Sequence, residues 1–375
     1  MTARIEPRSS RSTERISTLL KHVAKSEVVQ AFTPVCGADL KVHTTFCDVL
    51  LICAIGAVCV VVVVGQPRAR ARDLGIAMDA VVRYTIAQGG NEQVRSVNAL
   101  VGETNDGGLN DIRGLHVTRE HVLEAIRSAK TGAVAEGTVG AGAGTVCYGW
   151  KGGIGTSSRR LASDRGGYMV GVLVQTNFGG NLTIGGVPIY KSLQPPNRPS
   201  ASARPEPFDS PLTLSLSKHG SLAQHGPVDS PLILSLSKDE RLAQDRRVDG
   251  QAPGDGSCML VVATDAPLDA RDLRRLAARA VFGLGRTGSS YSNGSGDFAI
   301  AFSTSPEMRS RFNETAARAR MVLPTDATSP LFEAALEATE EAVYNSLFQA
   351  TTVRSAIGTA EAIPVERVRE LLGKR

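Results

Sequence analysis

The stretch of this chain best suited to chemistry begins where a glycine meets a serine. Gly254-Asp255-Gly256-Ser257-Cys258-Met259-Leu260-Val261-Val262 joins a glycine-rich approach to an apolar run that reads as a strand. A hydroxyl at the first strand position can attack the carbonyl immediately before it when that peptide is held in a strained turn. The acyl group then moves from nitrogen to oxygen, and hydrolysis of the ester leaves Ser257 as a new N-terminus. Its α-amino group, with an ordinary pKa of about 7.7–8.0, can act as general base for its own hydroxyl. An ordinary turn into a strand is the plain alternative for the same residues.

Other common chemistries lack their motifs. Six cysteines (36, 47, 53, 59, 147 and 258) form no Cys-x-x-Cys pair, and four of them lie near the N-terminus, so neither a zinc site nor a disulfide framework is indicated. No His-Glu-x-x-His, Walker A or Gly-x-Ser-x-Gly sequence occurs. Gly283, Gly285 and Gly288 make one Gly-x-Gly-x-x-Gly, but it follows a helical pattern instead of a strand, which removes the context of a dinucleotide site. Cys147 and Cys258 invite a thiol-enzyme reading, yet no histidine stands in the stretches around them and an activated thiol needs a base or cation. They read as buried structural cysteines. The glycine runs at 140–144 and 152–155 lack a following Gly-Lys-Ser/Thr, so close backbone packing fits them better than a phosphate cradle.

These residues sit in a chain of 375 residues, 42% hydrophobic and 21% charged, which excludes wholesale disorder and a polytopic membrane protein. The 38 glycines exceed the usual share of about 7% and cluster in short runs, as expected of tight turns around a site. Ten Lys/Arg against five Asp/Glu in residues 1–72 account for the whole net charge of +5. The remaining chain is neutral, which disfavours a nucleic-acid partner.

The elements that must position Ser257 follow from periodicity. Residues 118–130 and 269–283 predict helices; the second carries Leu273, Leu276, Ala277, Ala280 and Val281 on one face. Its other face carries Arg271, Arg274, Arg275 and Arg279, read as solvated. Ser329 and Pro330 are expected as N-cap and first residue of a further helix, and Pro364 opens a last short one. Strands are expected at 168–175, 258–263 and 298–302, giving a mixed α/β or α+β domain. Residues 1–48 read as a mobile tail. Residues 49–65 carry no charge, and three readings compete for them: a signal anchor or signal peptide, a buried strand favoured by Val60–Val64, and sequence foreign to the protein. Membrane anchoring, and with it a cytoplasmic or periplasmic location, hangs on that choice. Residues 191–250 hold a repeat of period twenty, 208–227 followed by 228–247, too few units for a solenoid. An inserted, disordered surface loop is expected there.

Six blocks in order carry a resemblance. They are LNDIRGLHVTREHVLEAI (109–126), AVAEGTVGAGAGTVCYGWKGGIGTSSR (133–159), GYMVGVLVQTNFG (167–179), GDGSCMLVVATDAPL (254–268), LAARAVFGLGRTGSSYSNGSGDFAIAFST (276–304) and LFEAALEATEEAVYNSLFQATTV (331–353). From about Arg68 to the end, excluding the insert, the chain resembles the L-aminopeptidase/D-esterase and β-peptidyl aminopeptidase family (DmpA type), whose members cleave themselves to expose an N-terminal serine. The resemblance implies a four-layer αββα sandwich like that of N-terminal-nucleophile hydrolases, split into 1–256 and 257–375. It implies a serine aminopeptidase acting on short peptides, amides or esters through an acyl-enzyme, without metal or cofactor, in an oligomer of processed heterodimers. Position by position, Ser257 matches the nucleophile and Gly256 the residue before the cut. Asn177 matches the side-chain amide of the oxyanion hole, a donor worth about 3–4 kcal/mol of barrier. Ser295 and Asp297 match the hydroxyl and carboxylate that orient Ser257 and its amino group. Glu136 matches a carboxylate that pairs with the substrate's free amino group, and Tyr148 a phenol beside the cleft.

The chain also departs from the family. Relatives follow the equivalent of RARDLGI (70–76) with a long block of early strands, whereas here Met78-Asp79-Ala80 runs directly into VVRYTIAQGG (81–90). An inactive, truncated relative is therefore the second expectation. Acetyl transfer in the manner of the similarly folded ornithine acetyltransferases is disfavoured, because threonine is the usual nucleophile there.

Overall fold

The computed structural model describes residues 40–44, 49–54, 59–65, 71–95, 97, 99–111, 116–129, 134–196, 256–292, 296–309 and 315–373. Residues 1–39, nearly all of the repeat insert, Gly254, Asp255 and Ser295 fall outside them.

The chain first builds a four-stranded sheet. Strands β1 (Leu40–Thr44), β2 (Val49–Ala54) and β3 (Cys59–Gly65) form an antiparallel meander, and β3 pairs in parallel with β4 (Leu100–Thr104). Within 49–65, residues 49–54 and 59–65 are strands, as the strand reading expects, and β1 lies within what was expected to be tail. A short apolar run cannot be assigned to strand or helix by periodicity alone, and it is the partner strand that decides. No described helix is long and apolar enough to cross a membrane.

Helices α1 (Ala71–Ile86) and α2 (Arg119–Ser128) cover one face of this sheet. Ala77, Ala80, Val81, Val122, Ala125 and Ile126 make their shared core, with Val101 of β4 packed against it. Thr118 starts α2 as N-cap: its hydroxyl accepts from the His121 amide, and His121 Nδ1 accepts from the Thr118 amide, a capping box closed by a histidine. The neighbour of Val101 points the other way, because strand side chains alternate. A β-carbon added to Gly102 would lie 2.8 Å from Met259 Sδ, which shows how closely this sheet rests on the next.

A two-residue hairpin, β5 (Val146–Cys147) to β6 (Trp150–Lys151), leads into the second sheet. Its loop residues Tyr148 and Gly149 both have positive φ (56° and 81°), the combination that a type I′ turn requires. The second sheet comprises β7 (Gly153–Arg160), β8 (Met169–Asn177), β9 (Ser257–Thr264) and β10 (Gly296–Ser303) in the order β10-β9-β8-β7. Only β9 and β10 run parallel, joined by the crossover helix α3 (Ala270–Arg286). Every residue of β8 is buried, as a central strand between two layers must be.

Helix α4 (Ser329–Phe348) lies beside α3 and closes the outer face over β7 and β8. Its N-cap is Thr328, one residue before the expected Ser329, with Pro330 in the first turn. At Gly155 the backbone of β7 touches α4 so closely that a β-carbon would fall 1.9 Å from the Ala342 carbonyl oxygen. Only glycine fits there. The Asn345 amide bonds the Thr156 carbonyl at 2.8 Å, and Ser346 Oγ meets Thr176 Oγ1 at 2.8 Å. The arginine face of α3 is partly engaged: the Arg275 and Arg279 guanidinium groups lie 4.9 and 4.6 Å from the Phe332 ring centre, and Arg275 bonds Asp272. Gly283 and Gly285 lie inside α3, so the Gly-x-Gly-x-x-Gly stretch is helix and not a nucleotide loop. The minor hairpin β11 (Val353–Arg354) and β12 (Thr359–Ala360) precedes the final helix α5 (Val365–Gly373). Helices, two facing sheets and helices again make the four-layer αββα sandwich.

Candidate active site

Strand register assembles the site. Asn177, the last residue of β8, pairs with Ser257, the first residue of β9, and Ser257 pairs on its other side with Gly296, the first residue of β10. Three strand ends thus meet at the hydroxyl. Gly256 approaches through a gap without room for a side chain: a β-carbon there would lie 2.2 Å from the Asn177 carbonyl oxygen and 2.5 Å from Phe178 Cα. The Gly296 amide donates to the Gly256 carbonyl oxygen at 2.9 Å. That carbonyl belongs to the peptide bond directly before Ser257, and it is both fixed and polarised.

Asn177 is held at both ends. Its Oδ1 accepts from the Val146 amide at 2.9 Å, and its Nδ2 donates to the Asn105 carbonyl at 2.5 Å. Asn105 follows β4 immediately, so the first sheet reaches across to position a side chain of the second. Nearby, Lys151 is fully buried and donates to the Gly142 and Gly152 carbonyls at 2.6 and 2.8 Å. Burial pulls its ammonium down to about 7, and the Asp106 charge opposes that fall. Asp106, also buried, accepts from the Asn110 amide at 2.6 Å. The hydroxyl of buried Thr104 makes no hydrogen bond among the described residues.

Alternation along the strands sorts the remaining candidates. Cys258, Leu260 and Val262 point into the core beneath α3 and α4, so Ser257 and Met259 point to the other sheet. Asp297 pairs with Cys258, one register step from Gly296, and therefore stands on the helix side of the sheet, away from the Ser257 side chain. Its charge reaches the Cys147 and Cys258 thiols, which burial above all drives upward, Cys147 to about 12. Such thiols are protonated structural residues. Tyr148 is a core residue here: its ring meets Phe178 edge-on at 5.2 Å, its hydroxyl lies 2.6 Å from Thr287 Oγ1, and burial raises its pKa further. Glu136 lies beyond the far edge strand, where one carboxylate oxygen accepts from both the amide and the hydroxyl of Thr156 at 2.6 Å. Burial raises its pKa, and the Glu341 charge adds to that. Thr156 pairs with Leu173 and Leu173 with Val261, four residues along β9 from Ser257. Strand spacings put Glu136 on the order of 15 Å from the serine.

The structure thus gathers Gly256, Ser257 and Asn177, and it adds Gly296, Asn105 and Lys151, which sequence reasoning passed over. Lys151 alone had a visible signal, a lone charge inside the glycine-rich run WKGGIG.

A known family covers most of the chain: residues 69–360 fit the model of peptidase family S58. The chain belongs to peptidase family S58. Among S58 relatives, the β-peptidyl aminopeptidases BapA of Sphingosinicella microcystinivorans and Sphingosinicella xenopeptidilytica are 38% and 34% identical to it, over 282 and 296 residues. The matches take in 73% and 76% of this chain but 61% and 62% of those relatives, so it spans about three fifths of their length. The L-aminopeptidase D-Ala-esterase/amidase of Ochrobactrum anthropi, described as a prototype of the serine aminopeptidases and a variant of the Ntn hydrolase fold, superposes with a TM-score of 0.62 at 26% identity. That match covers 92% of this chain and 83% of the other. The S58 chain has the Ntn hydrolase fold.

Proposed function

We propose that the chain cuts itself between Gly256 and Ser257 and then works as a serine aminopeptidase on short peptides, amides or esters with a free amino end. The observation that carries this is the Gly296 amide on the Gly256 carbonyl, directly before a serine at a strand start. In the first step Ser257 Oγ bonds to the Gly256 carbonyl carbon, and the Gly296 N–H steadies the negative oxygen. The C–N bond breaks as the hydroxyl proton passes to nitrogen. Water hydrolyses the resulting ester, leaving a carboxylate on Gly256 and an amine on Ser257.

In turnover the freed amine takes the proton from Oγ as Oγ attacks the substrate carbonyl, then gives it to the leaving amine. An acyl-enzyme forms, and water releases the acid. The second N–H of Asn177 Nδ2 would serve the substrate oxyanion, its orientation set by Asn105 and Val146. Ser295 and Asp297, as orienting groups, and Glu136, as partner of the substrate amine, enter from the family resemblance alone, and the strand register sets neither Asp297 nor Glu136 beside the Ser257 hydroxyl.

Denaturing gel mass and N-terminal sequencing test the proposal. Purified protein should give two chains, the smaller beginning at Ser257, and should hydrolyse aminoacyl amides. A wild-type chain that stays whole and hydrolyses none of them points to the second reading, an inactive truncated relative, which the direct passage of Met78-Asp79-Ala80 into 81–90 and the repeat insert favour.

A further inference from the structure

Beside Ser257 an aromatic ring lies open to solvent. Phe298 is 64% exposed, although it sits in a strand of the sandwich two residues after Gly296. Alternation puts its side chain on the same face as Ser257. A β-carbon built on Gly296 would lie 3.1 Å from Phe298 Cε2 and 3.3 Å from Ser257 Oγ, so ring edge and hydroxyl are within about 6.4 Å of each other. Met259, its register partner on β9, continues the apolar surface beneath the first sheet. The strand orders explain the opening: β10 is an edge strand, and the first sheet ends at β4, which lies over β9. A large ring left in water next to a nucleophile gains from being covered by an apolar group, and a substrate on Ser257 brings one within reach.

We infer that Phe298 is a specificity-determining residue that receives an apolar side chain of the substrate, favouring leucine- and phenylalanine-like residues over glycine. The inference rests on the aminopeptidase reading of Ser257. A ring at this distance touches the side chain attached near the reacting carbonyl and not the carbonyl itself, so its influence is a preference among substrates.

The test compares p-nitroanilides of glycine, leucine and phenylalanine, which share one leaving group. In Phe298→Ala the ratio of kcat/KM for leucine or phenylalanine over glycine should fall about tenfold, the scale on which a small apolar contact discriminates. Phe298→Leu, which keeps apolar surface at the same place, should restore the ratio to within about threefold. An unchanged ratio in Phe298→Ala overturns the inference, as does a fall that Phe298→Leu does not repair. Calorimetric binding of 2-phenylethylamine against ethylamine, to wild type and Phe298→Ala, separates the two levels. A selective affinity for the aromatic amine that Phe298→Ala abolishes supports the subsite even in a protein that hydrolyses nothing, where only the reaction has failed. Equal binding by both proteins overturns the subsite.

Discussion

Where β8, β9 and β10 meet, the two faces of the β7–β10 sheet are made from neighbouring residues yet have opposite characters. On the helix side Cys258, Leu260, Val174, Tyr148 and Phe178 join α3 and α4 in one apolar core. On the inner side Ser257, Asn177 and Gln175 are polar, and even their supports reach across layers, as Asn105 does for Asn177 and Ala141 for Gln175. One residue's shift along a strand decides whether a side chain packs or reacts. Ser257 and Cys258 are adjacent in sequence, and so are Gly296 and Asp297, but each pair is divided between the two faces.

The largest effect should come from breaking this division at its sharpest point. Ser257→Ala should abolish chain cleavage entirely, as read by gel. Cys258→Ala should leave cleavage intact and cost about 1–2 kcal/mol through lost apolar packing, as read by denaturant unfolding. Equal loss of cleavage in both would erase the distinction between the faces.

On the packing side, Gly155→Ala forces a β-carbon against the Ala342 carbonyl and should cost roughly 3 kcal/mol or more of stability. The measurement is a urea midpoint. A loss under about 1 kcal/mol would mean that α4 can lift off β7 freely.

Glu136→Gln sharpens the chemical side. The carboxylate is far from Ser257, and the internal reaction contains no substrate amine, so cleavage should survive. A carboxylate at that distance does not reach an amine attached beside the reacting carbonyl, so kcat/KM for aminoacyl amides should stay within about threefold of wild type, and a roughly thirtyfold drop would restore the role that the resemblance gives Glu136. Unaltered turnover would assign amine recognition to another group.

The smallest effect concerns Lys151, whose ordinary pKa of 10.5 is lowered to about 7 by burial. Between those pH values the unfolded chain binds a proton that the native chain lacks, so native stability rises with pH over that window. Lys151→Met removes the slope. The stability difference, wild type minus variant, should therefore climb by a few kcal/mol at most between pH 7 and 10, and a flat difference would show that its carbonyl partners compensate the ammonium fully.

Much of this architecture was legible in the residues, and the missing part has one cause. Helices α2, α3 and α4 and strands β8, β9 and β10 announced themselves through local periodicity, capping residues and apolar runs. Ser257 was visible because a glycine-rich turn enters a strand there. What local pattern does not contain is which residues lie opposite one another. Asp297 seemed a neighbour of the nucleophile until register put it beside Cys258, and Tyr148 seemed to line a cleft until a left-handed hairpin loop carried it into the core. The run at 49–65 stayed ambiguous for the same reason, since its strand character depends on β4, thirty-five residues further on. Asn105 acts through its carbonyl on Asn177, seventy-two residues away, which composition does not reveal.

The seam between β8 and β9 carries a last consequence. Residues Val170–Asn177 pair with Ser257–Thr264 along their full length, and the proposed cut falls exactly at one end of that seam. Scission would leave β7 and β8 on one polypeptide and β9, β10 and α4 on the other, with α4 still laid across β7 and β8. A protein born as one molecule would then come apart as two. Its melting would become second order, with a midpoint that rises with protein concentration, whereas the uncut Ser257→Ala chain would melt at one temperature whatever the dilution. Reassembly after denaturation would need a collision that the original folding never required.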